Sequence, residues 1–154
     1  MLTLLIPPAI TKILEEALRK AGNLECGGIL LGEHVGTNRF LLHEVTVQGT
    51  GSISRFIRKF EDAAKGLKAF FNRHGSDFER FNYLGEWHSH PLYMPEPSAV
   101  DHASMRELAT DPKVGANFVV LLVVKLGPQQ HLEGSAHVYL PFGEVHRATL
   151  EIQR

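Results

Sequence analysis

The sequence predicts an α+β fold in which a mostly antiparallel, curved β-sheet packs against two or three helices. Three observations predict it. Short apolar and β-branched runs, bounded by Gly, Pro or Asn, recur along the chain. Between them lie stretches whose apolar residues follow a helical period. With 154 residues, 44% of them hydrophobic, and without an internal repeat or a low-complexity linker, the chain suits one domain over residues 1–154.

The N-terminal part of the chain predicts a strand, a helix and two further strands. Residues 1–8 are apolar but have no basic segment before them and no small-residue cleavage site, so we interpret them as a strand and not as a signal peptide. A Pro-Pro pair then precedes a helix over residues 9–20, whose apolar side chains recur every three or four positions. The apolar runs that follow predict strands over residues 25–32 and 40–48.

The remaining elements are predicted in the same way. Residues 49–59 fit either a strand or a loop, whereas residues 61–74 have the apolar period of a helix. The other predicted elements are strands over residues 81–88, 117–125, 131–140 and 144–152, a Pro-rich loop over residues 91–97 and a short helix over residues 98–109.

Composition excludes several classes of protein. Sixteen Lys and Arg nearly balance seventeen Asp and Glu, which argues against a dedicated nucleic-acid binder. Cys26 is the only cysteine, so neither an internal disulfide nor a Cys-rich zinc site can form. The longest apolar run, residues 118–124, is too short to cross a bilayer. We therefore expect a soluble cytoplasmic protein that binds no nucleic acid and no membrane. Its oligomeric state stays open.

One segment predicts a metal site. His88 and His90 are two residues apart on an extended chain, so their imidazoles point to the same face. Asp101 can supply a third ligand from the first turn of the next helix. Histidine nitrogen and carboxylate oxygen are common zinc ligands, and three protein ligands leave a position open for catalysis. Hydrolysis further needs a proton acceptor, for which Glu25 is the best candidate, and an oxyanion donor, for which Ser98 is well placed.

These residues resemble the signature of the JAMM/MPN zinc metallo-isopeptidases. That signature is a Glu followed by His-x-His-x7-Ser-x2-Asp, and Glu25, His88, His90, Ser98 and Asp101 fit it without a gap or a substitution. A Gly-rich strand follows the glutamate, as in the family. The resemblance covers about half the chain and is to the short bacterial members that consist of the catalytic domain alone.

The resemblance implies a function for each of these residues. One Zn²⁺ per chain would be held by His88, His90 and Asp101, with Glu25 as general acid and base and Ser98 supporting the oxyanion. The implied fold is the three-layer arrangement that MPN domains share with cytidine deaminases. The implied reaction is hydrolysis of an amide or isopeptide bond after a ubiquitin-like C-terminal tail. The implied partner is therefore a ubiquitin-like protein or a peptide-tail substrate.

Other interpretations stay open at this point. A Ser-x-x-Asp after a proline is also how an ordinary helix begins, so Ser98 and Asp101 also fit a helix cap. Glu25 also fits an ordinary solvated side chain at the start of a strand. Among functions, the alternatives are a peptidase that trims sulfur-carrier proteins to a Gly-Gly terminus and a non-enzymatic MPN scaffold or binding module. A DNA-repair relative of the same fold is disfavoured by the balanced charge.

Overall fold

A computed structural model of the chain describes residues 1–48, 72–75, 77, 80–112, 114 and 116–154. The strands are β1 (Thr3–Ile6), β2 (Gly27–Gly36), β3 (Arg39–Val45), β4 (Phe81–Ser89), β5 (Val119–Leu126), β6 (Leu132–Tyr139) and β7 (Val145–Ile152). The helices with defined bounds are α1 (Pro8–Ala21), α2 (Ala99–Thr110) and a 3-10 turn at Pro128–Gln130.

The seven strands form a closed barrel in the order β1-β3-β2-β4-β5-β6-β7. β1 lies between β3 and β7 and is parallel to both, and β4 is parallel to β5. The other four pairs are antiparallel. The predicted mostly antiparallel curved sheet, packed against two or three helices in a three-layer MPN-like arrangement, is therefore wrong. The prediction failed because an alternating apolar pattern identifies a strand but not its partner. The barrel is closed by the pairing of residues 3–6 with residues 149–152.

The two helices lie against opposite faces of β5. Alternate residues of this strand, Val120, Leu122 and Val124, belong to the same buried cluster as the apolar side of α1. The residues between them, Val119, Leu121 and Val123, pack with Met105, Leu108 and Ala109 of α2. Burial on both faces explains why β5 is a continuous apolar run rather than an alternating one. It also fixes α2, which crosses from β4 to the parallel strand β5.

Most of the predicted elements are confirmed to within a few residues. α1 begins at Pro8, where the missing N–H costs nothing, and ends at Ala21; Gly22 follows as the C-cap with a φ of 60°, which suits glycine. β2 begins two residues later than predicted, so Glu25 precedes the strand. Residues 49–59 and most of the predicted helix over residues 61–74 lie outside the described residues. None of the described helices is long and apolar enough to cross a membrane.

Candidate metal centre

The end of β4 presents two buried histidines on one face. His88 is the second-last residue of the strand and His90 follows its end, with relative exposures of 8% and 7%. The backbone here is held on both sides. The Ser89 N–H donates to the Cys26 carbonyl and the His90 N–H donates to the Val124 carbonyl, each at 2.9 Å. The backbone that carries both imidazoles is therefore held by hydrogen bonds to its two neighbouring segments.

Asp101 reaches the same point from the first turn of α2. Ser98 caps this helix: its Oγ accepts the Asp101 N–H at 3.1 Å, and the Ser98 N–H donates to Asp101 Oδ2 at 2.7 Å. This reciprocal capping box satisfies two free backbone N–H groups and sets the direction of the carboxylate. The interpretation of Ser98 and Asp101 as a helix cap is thus confirmed, and it coexists with the meeting of Asp101 and the two histidines.

The three side chains form a compact cluster of ligand atoms. Asp101 Oδ2 lies 3.3 Å from His88 Nε2 and 3.3 Å from His90 Nε2. All three atoms lie within 4.8 Å of one another. Ligands roughly 2.0–2.1 Å from a tetrahedral zinc ion lie roughly 3.3 Å apart, so the spacing fits such an ion. Two imidazoles and one carboxylate also match the ligand preferences of zinc.

An unsatisfied buried atom supports a metal at this position. His88 Nε2 is buried and makes no hydrogen bond of acceptable geometry within the described part of the chain, although Asp101 is near. A buried nitrogen without a partner costs about 1–3 kcal/mol, and a bound cation would remove that cost. The residues present therefore fit a metal ion.

The charge state of Asp101 is also suited to a cation. Burial acts to raise the pKa of this carboxyl. The adjacent His88 and the hydrogen bonds from Ser98 outweigh that effect, and hold the Asp101 pKa well below its ordinary range. Asp101 is therefore an anion at neutral pH, as a metal ligand must be.

A hydrogen bond from the loop between the ligands orients His90. Its Nδ1 lies 3.2 Å from the Met94 carbonyl oxygen. Because a carbonyl only accepts, Nδ1 must carry the hydrogen, and the lone pair is then on Nε2, the atom that faces Asp101. Metal-binding histidines commonly donate their second N–H in this way, which fixes the tautomer. No pattern in the sequence predicts this backbone contact.

The other two predicted site residues are placed differently. Ser98 is exposed and contacts Asp101 directly. Glu25 is exposed, lies just before β2 and is not part of the ligand cluster. The residues that follow it contact the end of β4: the Cys26 N–H donates to Ser89 Oγ at 3.0 Å, and Gly27 is paired with His88. Cys26 is a buried thiol, and burial raises its pKa.

A contact next to Asp101, between Tyr139 and His102, was not predicted from the sequence. Tyr139, fully buried in β6, has its hydroxyl 2.8 Å from Nδ1 of His102, the residue after Asp101. It holds the first turn of α2 against the barrel. The two residues are 37 positions apart and share no recognisable motif, so nothing in the sequence predicted their contact.

The protein is thus a mixed β-barrel with a His-His-Asp cluster next to the end of β4. Such a cluster is suited to a catalytic metal. The chain belongs to the family described as prokaryotic homologs of the JAB domain, whose sequence profile matches residues 7–136. This confirms the resemblance to JAMM/MPN proteins.

Individual relatives agree with this assignment. A CD-NTase/cGAS isopeptidase of Enterobacter hormaechei is 30% identical over 130 residues, covering 84% of this chain and 70% of that protein. A probable metalloprotease of Sinorhizobium fredii is 24% identical over 151 residues, covering 97% and 88%. The solution structure of a protein from Desulfitobacterium hafniense has a TM-score of 0.64 at 21% identity, covers 98% of this chain and 93% of that chain, and supports the fold alone.

Proposed function

We propose that this protein is a zinc-dependent metallo-isopeptidase that hydrolyses amide or isopeptide bonds after a ubiquitin-like C-terminal tail. One Zn²⁺ per chain would be held by His88, His90 and Asp101. The observation that carries the proposal is the 3.3 Å spacing of both imidazole nitrogens from one carboxylate oxygen, together with the unsatisfied buried nitrogen of His88. The relatives named isopeptidase and metalloprotease support the reaction class.

When bound, zinc supplies a Lewis acid that polarises the scissile carbonyl and lowers the pKa of water toward about 7. Glu25 would accept the proton of the attacking water and pass it to the departing amine. The hydrogen bond from the Ser89 N–H to the Cys26 carbonyl supports this role, because Glu25 adjoins Cys26 and Ser89 lies between the two histidines. The exposure of Glu25 leaves its carboxylate accessible to a substrate.

Ser98 would donate a hydrogen bond to the oxyanion. Its Oγ accepts the Asp101 N–H, and its hydroxyl lies beside the Asp101 carboxylate. The capping box thus holds the hydroxyl beside the metal ligand Asp101. Donors held in place before the reaction stabilise an oxyanion without the cost of reorganisation.

Metal content and hydrolysis together test the proposal. Purified wild type should hold one zinc per chain, and His88→Ala and Asp101→Ala should hold little or none. His131→Ala, which changes an exposed histidine away from the cluster, is the matched control and should retain zinc. The loaded enzyme should release an amine from the C-terminal tail of a ubiquitin-like protein, and His88→Ala should not.

Each other result has a defined meaning. Zinc retained by both ligand variants would overturn the assignment of the ligands. Wild type that takes up no zinc after remetallation would favour a non-enzymatic MPN scaffold. Loaded enzyme that cleaves only a sulfur-carrier precursor, to leave a Gly-Gly terminus, would favour tail processing over deconjugation.

A further inference from the structure

The loop between the metal ligands is attached to the barrel by a buried serine. Ser135 of β6 is 2% exposed, and its hydroxyl donates to the Pro95 carbonyl at 2.6 Å. Pro95 directly follows Met94, whose carbonyl accepts the Nδ1–H of His90. Ser135 is therefore connected to His90, a proposed metal ligand, through the carbonyls of the adjacent residues Met94 and Pro95.

The geometry of Met94 and Pro95 couples the direction of one carbonyl to the direction of the other. The Met94 carbonyl also accepts the Glu96 N–H at 2.8 Å, which closes a tight three-residue turn with Pro95 at its centre. The pyrrolidine ring fixes φ of Pro95, so its ψ is the one free torsion between the Met94 and Pro95 carbonyls. Once Ser135 holds the Pro95 carbonyl, the direction of the Met94 carbonyl is nearly determined.

The second attachment of this loop is weaker. Glu96 pairs with Arg147 of β7 at 2.9 Å and lies 4.0 Å from His137 Nε2, but the Glu96 and Arg147 side chains are 39% and 60% exposed. Exposed ion pairs contribute about 0–1 kcal/mol and are screened by salt. The Ser135 hydrogen bond comes from a buried side chain, is partly buried and joins two neutral groups, so salt should not weaken it. Ser135 is thus the constraint on the turn that comes from a buried side chain.

We propose that Ser135 is a positioning residue for the metal centre: by holding the Pro95 carbonyl, it aims the Met94 carbonyl at His90 Nδ1 and so keeps His90 Nε2 available to bind metal. The inference rests on the proposed role of His90 as a ligand. It adds a residue 45 positions away in the chain that touches neither metal nor substrate.

The test compares Ser135→Ala with Thr11→Val. Thr11 is equally buried, and its hydroxyl donates to the Gln153 carbonyl at 2.7 Å, so each variant deletes one buried hydroxyl bonded to a carbonyl. Both should lose similar stability, about 1 kcal/mol. Long-range ¹⁵N–¹H spectra of the metal-free proteins, at about pH 8.5 where an ordinary imidazole is neutral, report which nitrogen of His90 carries the hydrogen. Zinc affinity is measured separately by competition with a chromophoric chelator.

We expect the hydrogen on Nδ1 of His90 in wild type and in Thr11→Val, and a mixture of tautomers in Ser135→Ala. Zinc affinity should fall roughly 10-fold in Ser135→Ala, the low end for loss of an outer contact, and stay unchanged in Thr11→Val. An unchanged tautomer, or an affinity no lower than that of Thr11→Val, would overturn the inference. Wild type without zinc affinity would instead remove the proposed function, while the tautomer comparison would still decide whether Ser135 orients His90.

Discussion

Gly27 of β2 lies directly opposite His88 of β4, and a Cβ atom at Gly27 would come within 3.1 Å of the His88 Cβ. The same Cβ would lie 2.5 Å from the Trp87 carbonyl oxygen. That second contact is with backbone, which cannot rotate away. The absence of a side chain at Gly27 therefore lets β2 pair closely with β4 at His88.

Gly27→Ala should weaken both the fold and the metal site. The extra methyl group must push β4 and His88 away, and such overpacking costs about 1–3 kcal/mol. Zinc affinity should fall together with the free energy of unfolding. Gly36→Ala in the same strand is the control, because its Cβ would meet only Arg39 side-chain atoms, at 3.6 and 3.8 Å. Equal zinc affinities for the two variants, by competition titration, would contradict the explanation for Gly27.

Ser98 variants should separate its structural and catalytic roles. Ser98→Ala removes the cap and should cost about 1 kcal/mol, whereas Ser98→Asp restores a capping oxygen and most of that stability. Neither can donate to an oxyanion, so both should lose roughly 10²–10³-fold in kcat. Thermal unfolding and hydrolysis of a tail-linked amine measure the two effects. If Ser98→Asp regained full activity, the serine would be a cap and nothing more.

The meeting of the two histidines and Asp101 could be predicted from sequence because its geometry is local. His88 and His90 share a face by strand periodicity, and Asp101 begins the next helix, so their meeting requires only that the loop between them fold back. The barrel could not be predicted this way. β1, residues 3–6, pairs with residues 149–152 of β7. No short-range pattern encodes a pairing between residues so far apart in the chain.

The contacts that support the site could not be predicted from the sequence, for a related reason. Ser135 and Pro95 are 40 residues apart, and the atom that the serine holds is a backbone carbonyl, which any residue type offers. Met94 acts on His90 through its carbonyl as well. Residue identity carries information about side-chain ligands, but it carries almost none about which carbonyl accepts a hydrogen bond.

A buried carboxylate away from the site should make stability depend on pH. Glu33 of β2 is 6% exposed and bonds His43 Nε2 at 2.9 Å and the Arg80 guanidinium. Burial acts to raise the Glu33 pKa, but these two partners outweigh it and hold the pKa below its ordinary value. The unfolded chain then takes up a proton at higher pH than the native protein. This contribution to stability is full above about pH 5 and is lost as the pH falls toward the native pKa.

Glu33→Gln should therefore lose about 1–3 kcal/mol near pH 7 and show a flatter decline in stability below about pH 5 than wild type. Urea unfolding at several pH values measures both effects. Glu151→Gln is the control, because Glu151 pairs with Arg39 at 3.8 Å with both side chains 47% exposed, where little stability is expected. Parallel pH profiles for wild type and Glu33→Gln would show that Glu33 is not the group responsible.

Glu25→Gln should abolish proton transfer while leaving the metal in place. Glu25 lies outside the ligand cluster, so zinc content should equal that of wild type, whereas kcat should fall roughly 10²–10⁴-fold because an amide cannot accept the proton of the attacking water. Metal analysis and hydrolysis of a tail-linked amine are measured on the same preparation. Glu107→Gln, an exposed glutamate of α2, is the control and should keep full activity. Loss of zinc from Glu25→Gln would make Glu25 a ligand instead, and full activity with zinc bound would exclude it as the base.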